Sequence, residues 1–393
     1  MSAKTVGGAD HQIGSRDALL TAACDALEMR PPSAITGRQI AKAAGTQYSL
    51  IHRHFGSNES LLREALDDIG HRFRFDVFES PTALPLMGAV RRHSKAIRAK
   101  AFARIDHESD PAVRPESRVG QQYKDVIAAT RDGLSETEVA ALAATTLTIH
   151  VGVALFGDVG CDSVGLDRGD PAIDEHVDRW IRSATSGHGP LAVEPIPRRG
   201  LPVSEAEFDD PPGDLKGRLA TEMKLVEAGA ALLVDKAPTA ISGRAIAGEA
   251  GVNYGLIHHY FGSKDEVLRR SLEFHRDRVG VGSIDQGRDI YFSMQAAPAL
   301  LRAAAWSALD PDHPFEGTPF PVGGNMLANH CRTNEVEPTV SIRVSVLVST
   351  VTQLAWTLFK QPLANTLGHD IDDLQPVAAG LLHSIILDGR KST

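Results

Sequence analysis

Apolar residues recur along this chain at helical spacing. Ala18, Leu19, Ala22, Ala23, Ala26 and Leu27 form one such stripe, and Leu225, Val226, Gly229, Leu232 and Leu233 form a second. Positions three and four apart lie on one face of a helix, so both runs predict amphipathic helices. Strand-like alternation is sparse. Two longer stretches, 138–156 and 340–360, are dense in Ala, Val, Leu and Thr. Their length far exceeds that of an ordinary strand of about 5–6 residues, so despite their β-branched content they predict long helices. Asp158, Cys161 and Asp162 read as solvated loop residues after the first of these. The fold class predicted is all-α.

One segment occurs twice. Residues 33–66 read SAITGRQIAKAAGTQYSLIHRHFGSNESLLREAL and residues 239–272 read TAISGRAIAGEAGVNYGLIHHYFGSKDEVLRRSL, an ungapped offset of 206. Twice that offset slightly exceeds the chain length, so the chain reads as two copies of one unit. Between them, Pro190, Pro195, Pro197, Pro202, Pro211 and Pro212 lie in a Gly-containing stretch. Prolines at that density sustain neither a helix nor a central strand, which makes 186–217 a linker. The organisation expected is a tail at 1–15, a first module at 16–80 that holds the repeated segment, a helical body at 81–185, the linker, a second module at 218–281 and a second body at 282–388.

Each repeat follows the order cap, short helix, glycine turn, short helix, cap, long helix. Thr36 with Gln39 forms a capping box, and Ser242 caps the equivalent helix. Gly45 and Gly251 supply the left-handed turn that ends the first short helix, and Ala41 and Ala247 are small where two helices cross. The next helix is expected from about Gln47 to Phe55 and from about Asn253 to Phe261, with Ile51/Phe55 and Ile257/Phe261 turned inward. The outward side chains are then Gln47, Tyr48, Ser49, His52 and Arg53, with His54 beside them, and Asn253, Tyr254, Gly255, His258 and His259, with Tyr260. Amides, hydroxyls, imidazoles and a guanidinium, with no carboxylate among them, suit base edges and phosphates in a major groove. Arg38 and Arg244 open the supporting helices as further candidates. Ser263 and Glu266 suggest another capping box, at a helix end where Lys264 adds a positive charge and its counterpart Asn58 does not.

Composition refines this picture. The chain has 393 residues, 42% hydrophobic and 23% charged, which favours folded domains over disorder. A net charge of −9 argues against a protein coated for nucleic acid. Within 30–66, however, five basic residues face two acidic ones, so the local surface is basic. No run resembles the ~18–20 uncharged apolar residues of a bilayer span, and 1–15 lacks a secretory apolar core. The expectation is a cytoplasmic protein with no membrane partner. Cys24, Cys161 and Cys331 are too scattered for a disulfide framework or a zinc clip, and Cys24 falls on a buried helix face. His52/His54 and His258/His259 have spacings that scatter their rings around a helix, so no metal is expected. No phosphate loop, nucleophile elbow or H-E-x-x-H motif is present, so neither an enzyme nor a cofactor is implied.

The residues Ile40-Ala41, Gly45 and Tyr48 to Ser57, and again Ile246-Ala247, Gly251 and Tyr254 to Ser263, resemble the N-terminal DNA-binding region of the TetR/AcrR family of bacterial regulators. The resemblance covers about fifty residues per copy and implies double-stranded operator DNA as partner. It also implies an all-helical regulatory domain that binds a small effector and dimerises through a four-helix bundle. Three departures stand out: an imidazole, His52 or His258, where many members carry a phosphate-contacting tyrosine; Asn58 where a lysine is common; and two units in one chain. The expectation is a ligand-responsive repressor working as a covalent pseudo-dimer, with 138–156 and 340–359 in a shared bundle. Because the two reading helices differ, it would prefer an imperfect or non-palindromic operator. Phe102 and Trp306, on the first long helix after each module, are the candidates for a small apolar effector's pocket. The competing reading is a ligand- or partner-binding adaptor in which one helix-turn-helix copy is structural. Effector identity, and whether whole chains associate further, are open.

Overall fold

A computed structural model describes residues 14–77, 80, 82–105, 118–191, 193, 216–236, 238–278, 298–309 and 322–391. Most of the expected linker and nearly all of the expected tail lie outside the described residues, as does the side chain of Trp306. Among the described residues the fold is all-α, and the only β pairing is an isolated bridge between Asp132 and His188. The helices are α1 (Ser15–Leu27), α2 (Gly37–Ala43), α3 (Ser49–Phe55), α4 (Asn58–Val77), α5 (Met87–Arg92), α6 (Ser94–Ile105), α7 (Val119–Thr130), α8 (Glu136–Val164) and α9 (Pro171–Thr185). They continue with α10 (Lys216–Asp235), α11 (Gly243–Glu249), α12 (Gly255–Phe261), α13 (Lys264–Arg278), α14 (Pro298–Leu309), α15 (Val322–Asn334), α16 (Val340–Leu367) and α17 (Ile371–Lys391).

The chain divides into two compact units, Met1–Arg74 with Arg98–Glu116, and Phe75–Ile97 with Ser117–Thr393. The first contains the first copy of the repeat. Its core is Leu19, Ala22, Leu27, Ile35, Ile40, Ala41, Ile51, Leu61 and Leu62, all buried. Cys24 is buried on the same helix, and burial pushes its thiol up to about 12, the behaviour of a small apolar residue.

The second unit repeats that core position for position in Leu225, Ala228, Leu233, Ile241, Ile246, Ala247, Ile257, Val267 and Leu268. It also holds the long helices. Ser135 caps α8 through a reciprocal capping box with Glu138, and Gly165 closes the helix in the left-handed conformation. The segment 157–164, expected to be a loop, is therefore the last two turns of α8. The reason is tertiary: a Cβ at Gly152 would lie 2.6 Å from the Val351 carbonyl oxygen, and one at Gly160 would lie 2.4 Å from Leu347 Cδ1. Gly152 lets α8 and α16 approach backbone to backbone, Gly160 leaves room for side chains of α16, and that contact outweighs the poor helix propensity of the stretch. Cys161 is buried, while Asp158 and Asp162 face Arg168.

The pair α8 and α16 also packs against α17, and α9 lies on both members of the pair. Arg343 on α16 donates to the Val164 carbonyl at the end of α8, and Ser345 lies 3.4 Å from His176 Nε2 on α9. Both long helices are long and apolar enough to cross a membrane, contrary to the expectation that no run qualifies; 89% of each apolar window is buried inside the protein. Threonines and serines inside these helices return their hydroxyls to the preceding turn, as Thr145 does to Ala141 at 2.7 Å.

Tyr123 and His150 meet in the buried interior, Oη to Nδ1 at 2.9 Å. Burial lowers His150 to about 4, so it is held neutral. The unfolded chain binds a proton on this residue below about pH 6.5 while the folded protein does not, so stability falls as pH drops from there towards 4, by on the order of 2–3 kcal/mol. In urea titrations, His150→Gln is expected to lose that share of the acid sensitivity. An unchanged pH dependence in the variant would contradict the assignment.

Candidate nucleic-acid interface

Both copies build the same helix-turn-helix. In the first, Thr36 Oγ1 accepts from Gln39 N while Gln39 Oε1 accepts from Thr36 N at 2.9 Å; in the second, Ser242 Oγ accepts from Ala245 N at 3.1 Å. Gly45 (φ 64°) and Gly251 (φ 65°) make the turn. The chain then closes through Thr46 N to Ala41 O and Val252 N to Ala247 O, both 2.9 Å. The following helices begin at Ser49 and Gly255, two residues later than the pattern suggests, so Gln47 and Asn253 stand ahead of them. Asn253 Oδ1 accepts from Gly255 N at 2.8 Å, an Asx turn that occupies its carbonyl.

On the exposed face lie Arg38, Gln47, Tyr48, Ser49, His52 and Arg53 in copy one, and Arg244, Asn253, Tyr254, Gly255, His258 and His259 in copy two. Tyr48 and Tyr254 are each 42% exposed, so neither is a core residue. Their rings lie against the first residue of the supporting helix: a Cβ at Gly37 or Gly243 would sit 2.6 Å from the tyrosine Cε2.

Three sequence expectations change here. His54 is half-buried with Nε2 3.0 Å from Ser15 Oγ, and Tyr260 packs on its module's core with the Arg218 guanidinium 5.5 Å from its ring centroid. Both side chains fasten the reading helix to the helix that opens the module. Lys264 Nζ donates to Pro238 O at 3.2 Å and Ile241 O at 3.0 Å, and Asn58 Nδ2 donates to Ile35 O at 3.3 Å. Lysine and asparagine thus share one task, holding the turn that enters the supporting helix. The carboxylate of Glu266 is taken by Arg269 and Arg270, so of the expected box with Ser263 the structure gives one half, the bond from Glu266 N to Ser263 Oγ at 3.2 Å.

One arrangement escaped the sequence reading. His52 Nδ1 is 3.0 Å from Gly56 O and its Nε2 is 3.3 Å from Tyr48 Oη; in copy two the distances from His258 are 3.1 Å to Gly262 O and 3.0 Å to Tyr254 Oη. The rings meet edge to face at 5.3 and 5.2 Å. The signal was available as a tyrosine and a histidine four residues apart in both copies.

In the body, Phe102 is fully buried on α6. An open groove of about 490 Å³ lies between α5 and α9, lined by Leu86, Arg92, Asp174, Asp178, Arg179 and Arg182 among others. Its walls are charged, unlike the apolar pocket expected for an effector. Asp178 there accepts from Met87 N at 2.9 Å and caps α5, and burial raises its carboxyl.

The model of the family "Bacterial regulatory proteins, tetR family" matches this chain twice, at 19–65 and at 225–270. Each match runs from within the first helix of the module through the helix-turn-helix into the long helix that follows. A search of curated proteins gave no match.

Proposed function

Because this chain is a DNA-binding transcriptional regulator of the tetR family carrying two tandem units, we propose that it acts as a single-chain pseudo-dimer on an operator whose two halves differ. The observation that carries this reading is the glycine-mediated crossing of α8 on α16, which joins a long helix of the first body to one of the second. In an ordinary homodimer such a contact would join two chains. The reading helices add the asymmetry, with Gln47, Ser49 and Arg53 against Asn253, Gly255 and His259. Successive half-sites on one side of the duplex lie about 34–36 Å apart or a multiple of that.

In this reading Arg38, Gln47, Tyr48, Ser49, His52 and Arg53 address one half-site, and Arg244, Asn253, Tyr254, Gly255, His258 and His259 the other. His54, Tyr260 and Lys264 hold the scaffold. A small apolar effector in the helical bodies releases DNA by binding the other conformation more tightly. The protein is then a cytoplasmic repressor.

Two paired substitutions in a gel-shift assay test the reading. Arg38→Ala with Tyr48→Ala, and Arg244→Ala with Tyr254→Ala, are each expected to weaken binding by roughly 10-fold or more and to flatten its salt dependence. If only the second pair matters, copy one is structural and the chain is an adaptor with a single reading head.

A further inference from the structure

We propose that His52 and His258 set the hydrogen-bond polarity of the tyrosine hydroxyls beside them, so that Tyr48 and Tyr254 present an acceptor to a base amino group. The inference rests on the DNA-reading function above and goes beyond it by assigning a base chemistry to one residue of each half-site.

The geometry leaves little freedom. A backbone carbonyl is only an acceptor, so the ring nitrogen facing Gly56 O or Gly262 O must carry a hydrogen. In the neutral imidazole the other nitrogen, Nε2, then has a lone pair and no hydrogen. It faces Tyr48 Oη at 3.3 Å and Tyr254 Oη at 3.0 Å, so the phenol is the donor in that bond. The hydroxyl hydrogen is thereby turned inward, and the exposed side of the oxygen offers lone pairs. A phosphate, itself only an acceptor, gains nothing from such an oxygen. In the major groove the matching donors are the exocyclic amino groups of adenine and cytosine. The ring of each tyrosine is held as well, against the glycine that opens the supporting helix. The same construction occurs in both copies, although Gln47 and Ser49 differ from Asn253 and Gly255 on either side of the tyrosine.

The test is selection of bound duplexes from a random pool by the full chain and its variants. Wild type is expected to prefer adenine or cytosine at one position of the second half-site by roughly 2- to 10-fold, the range of one hydrogen bond. Tyr254→Phe should flatten that position and leave the others. His258→Phe removes the acceptor that holds the phenol hydrogen, so the hydroxyl can also donate to guanine or thymine and the preference should weaken. Tyr254→Phe removes a single oxygen and carries the test even if His258→Phe loses helicity by circular dichroism. The proposal is overturned by a wild-type preference for guanine or thymine at that position, or by Tyr254→Phe weakening all sequences equally, which would make the hydroxyl a phosphate contact. A wild-type pool with no enriched sequence would overturn the DNA-reading function itself.

Discussion

Ile257→Asp is expected to lower affinity for a two-half-site operator by roughly 10²–10⁴-fold, and Ile51→Asp to do the same through the other module, because each removes one of two linked contacts. Ile257 is fully buried among Leu225, Leu233, Ile246 and Leu268, and Ile51 occupies the matching place in copy one. A carboxylate there has no cation to pair with in that apolar cluster. Its burial costs several kcal/mol, a large fraction of what a module of this size has to spare. The reading helix of that copy is lost while the long helices of the bodies keep their own core. Gel shifts on a selected operator, with circular dichroism of each variant, measure the effect. A loss of less than 10-fold from either substitution would mean that one module carries the binding alone.

Gly152→Leu is the second large effect, and it acts on the bodies. Any Cβ at this position meets the Val351 carbonyl oxygen at 2.6 Å, and a backbone atom inside α16 cannot rotate away. The helices must separate, at a cost of about 3 kcal/mol or more, which corresponds to a fall of roughly 5–10 °C in Tm. Gly160 provides the control. There the obstacles are the Leu347 and Val351 side chains, so Gly160→Ala should cost less and should be relieved in part by Leu347→Ala. Thermal unfolding of the three variants checks the order. A Gly152→Leu protein with wild-type Tm would show that the close crossing is not needed to hold the bodies together.

The reading modules were legible because their information is local. Caps at Thr36 and Ser242 and turns at Gly45 and Gly251 act within one or two helical turns, and the apolar positions of the core recur at one fixed offset. What the sequence pattern missed depends on partners distant in the chain. Gly157, Asp158, Gly160 and Asp162 look like a loop until α16 is laid against them, when Gly160 becomes the permissive site of a close contact. Lys264 and Asn58 look like a present and a missing phosphate contact until Ile241 O and Ile35 O are found beside them. His54 and Tyr260 sit at outward-looking positions on a short helix, but the first helix of each module covers that side. The two bodies barely resemble each other in sequence, so the repeat that located the modules is silent about the packing of α8 on α16.

The central claim is that one chain supplies both reading heads, and the most direct measurement is the mass of the complex formed on an operator selected from random DNA by the full chain. One chain per duplex, protecting two half-sites of unlike sequence, is the result expected. Two chains on a perfect palindrome, each contributing one head, would contradict it.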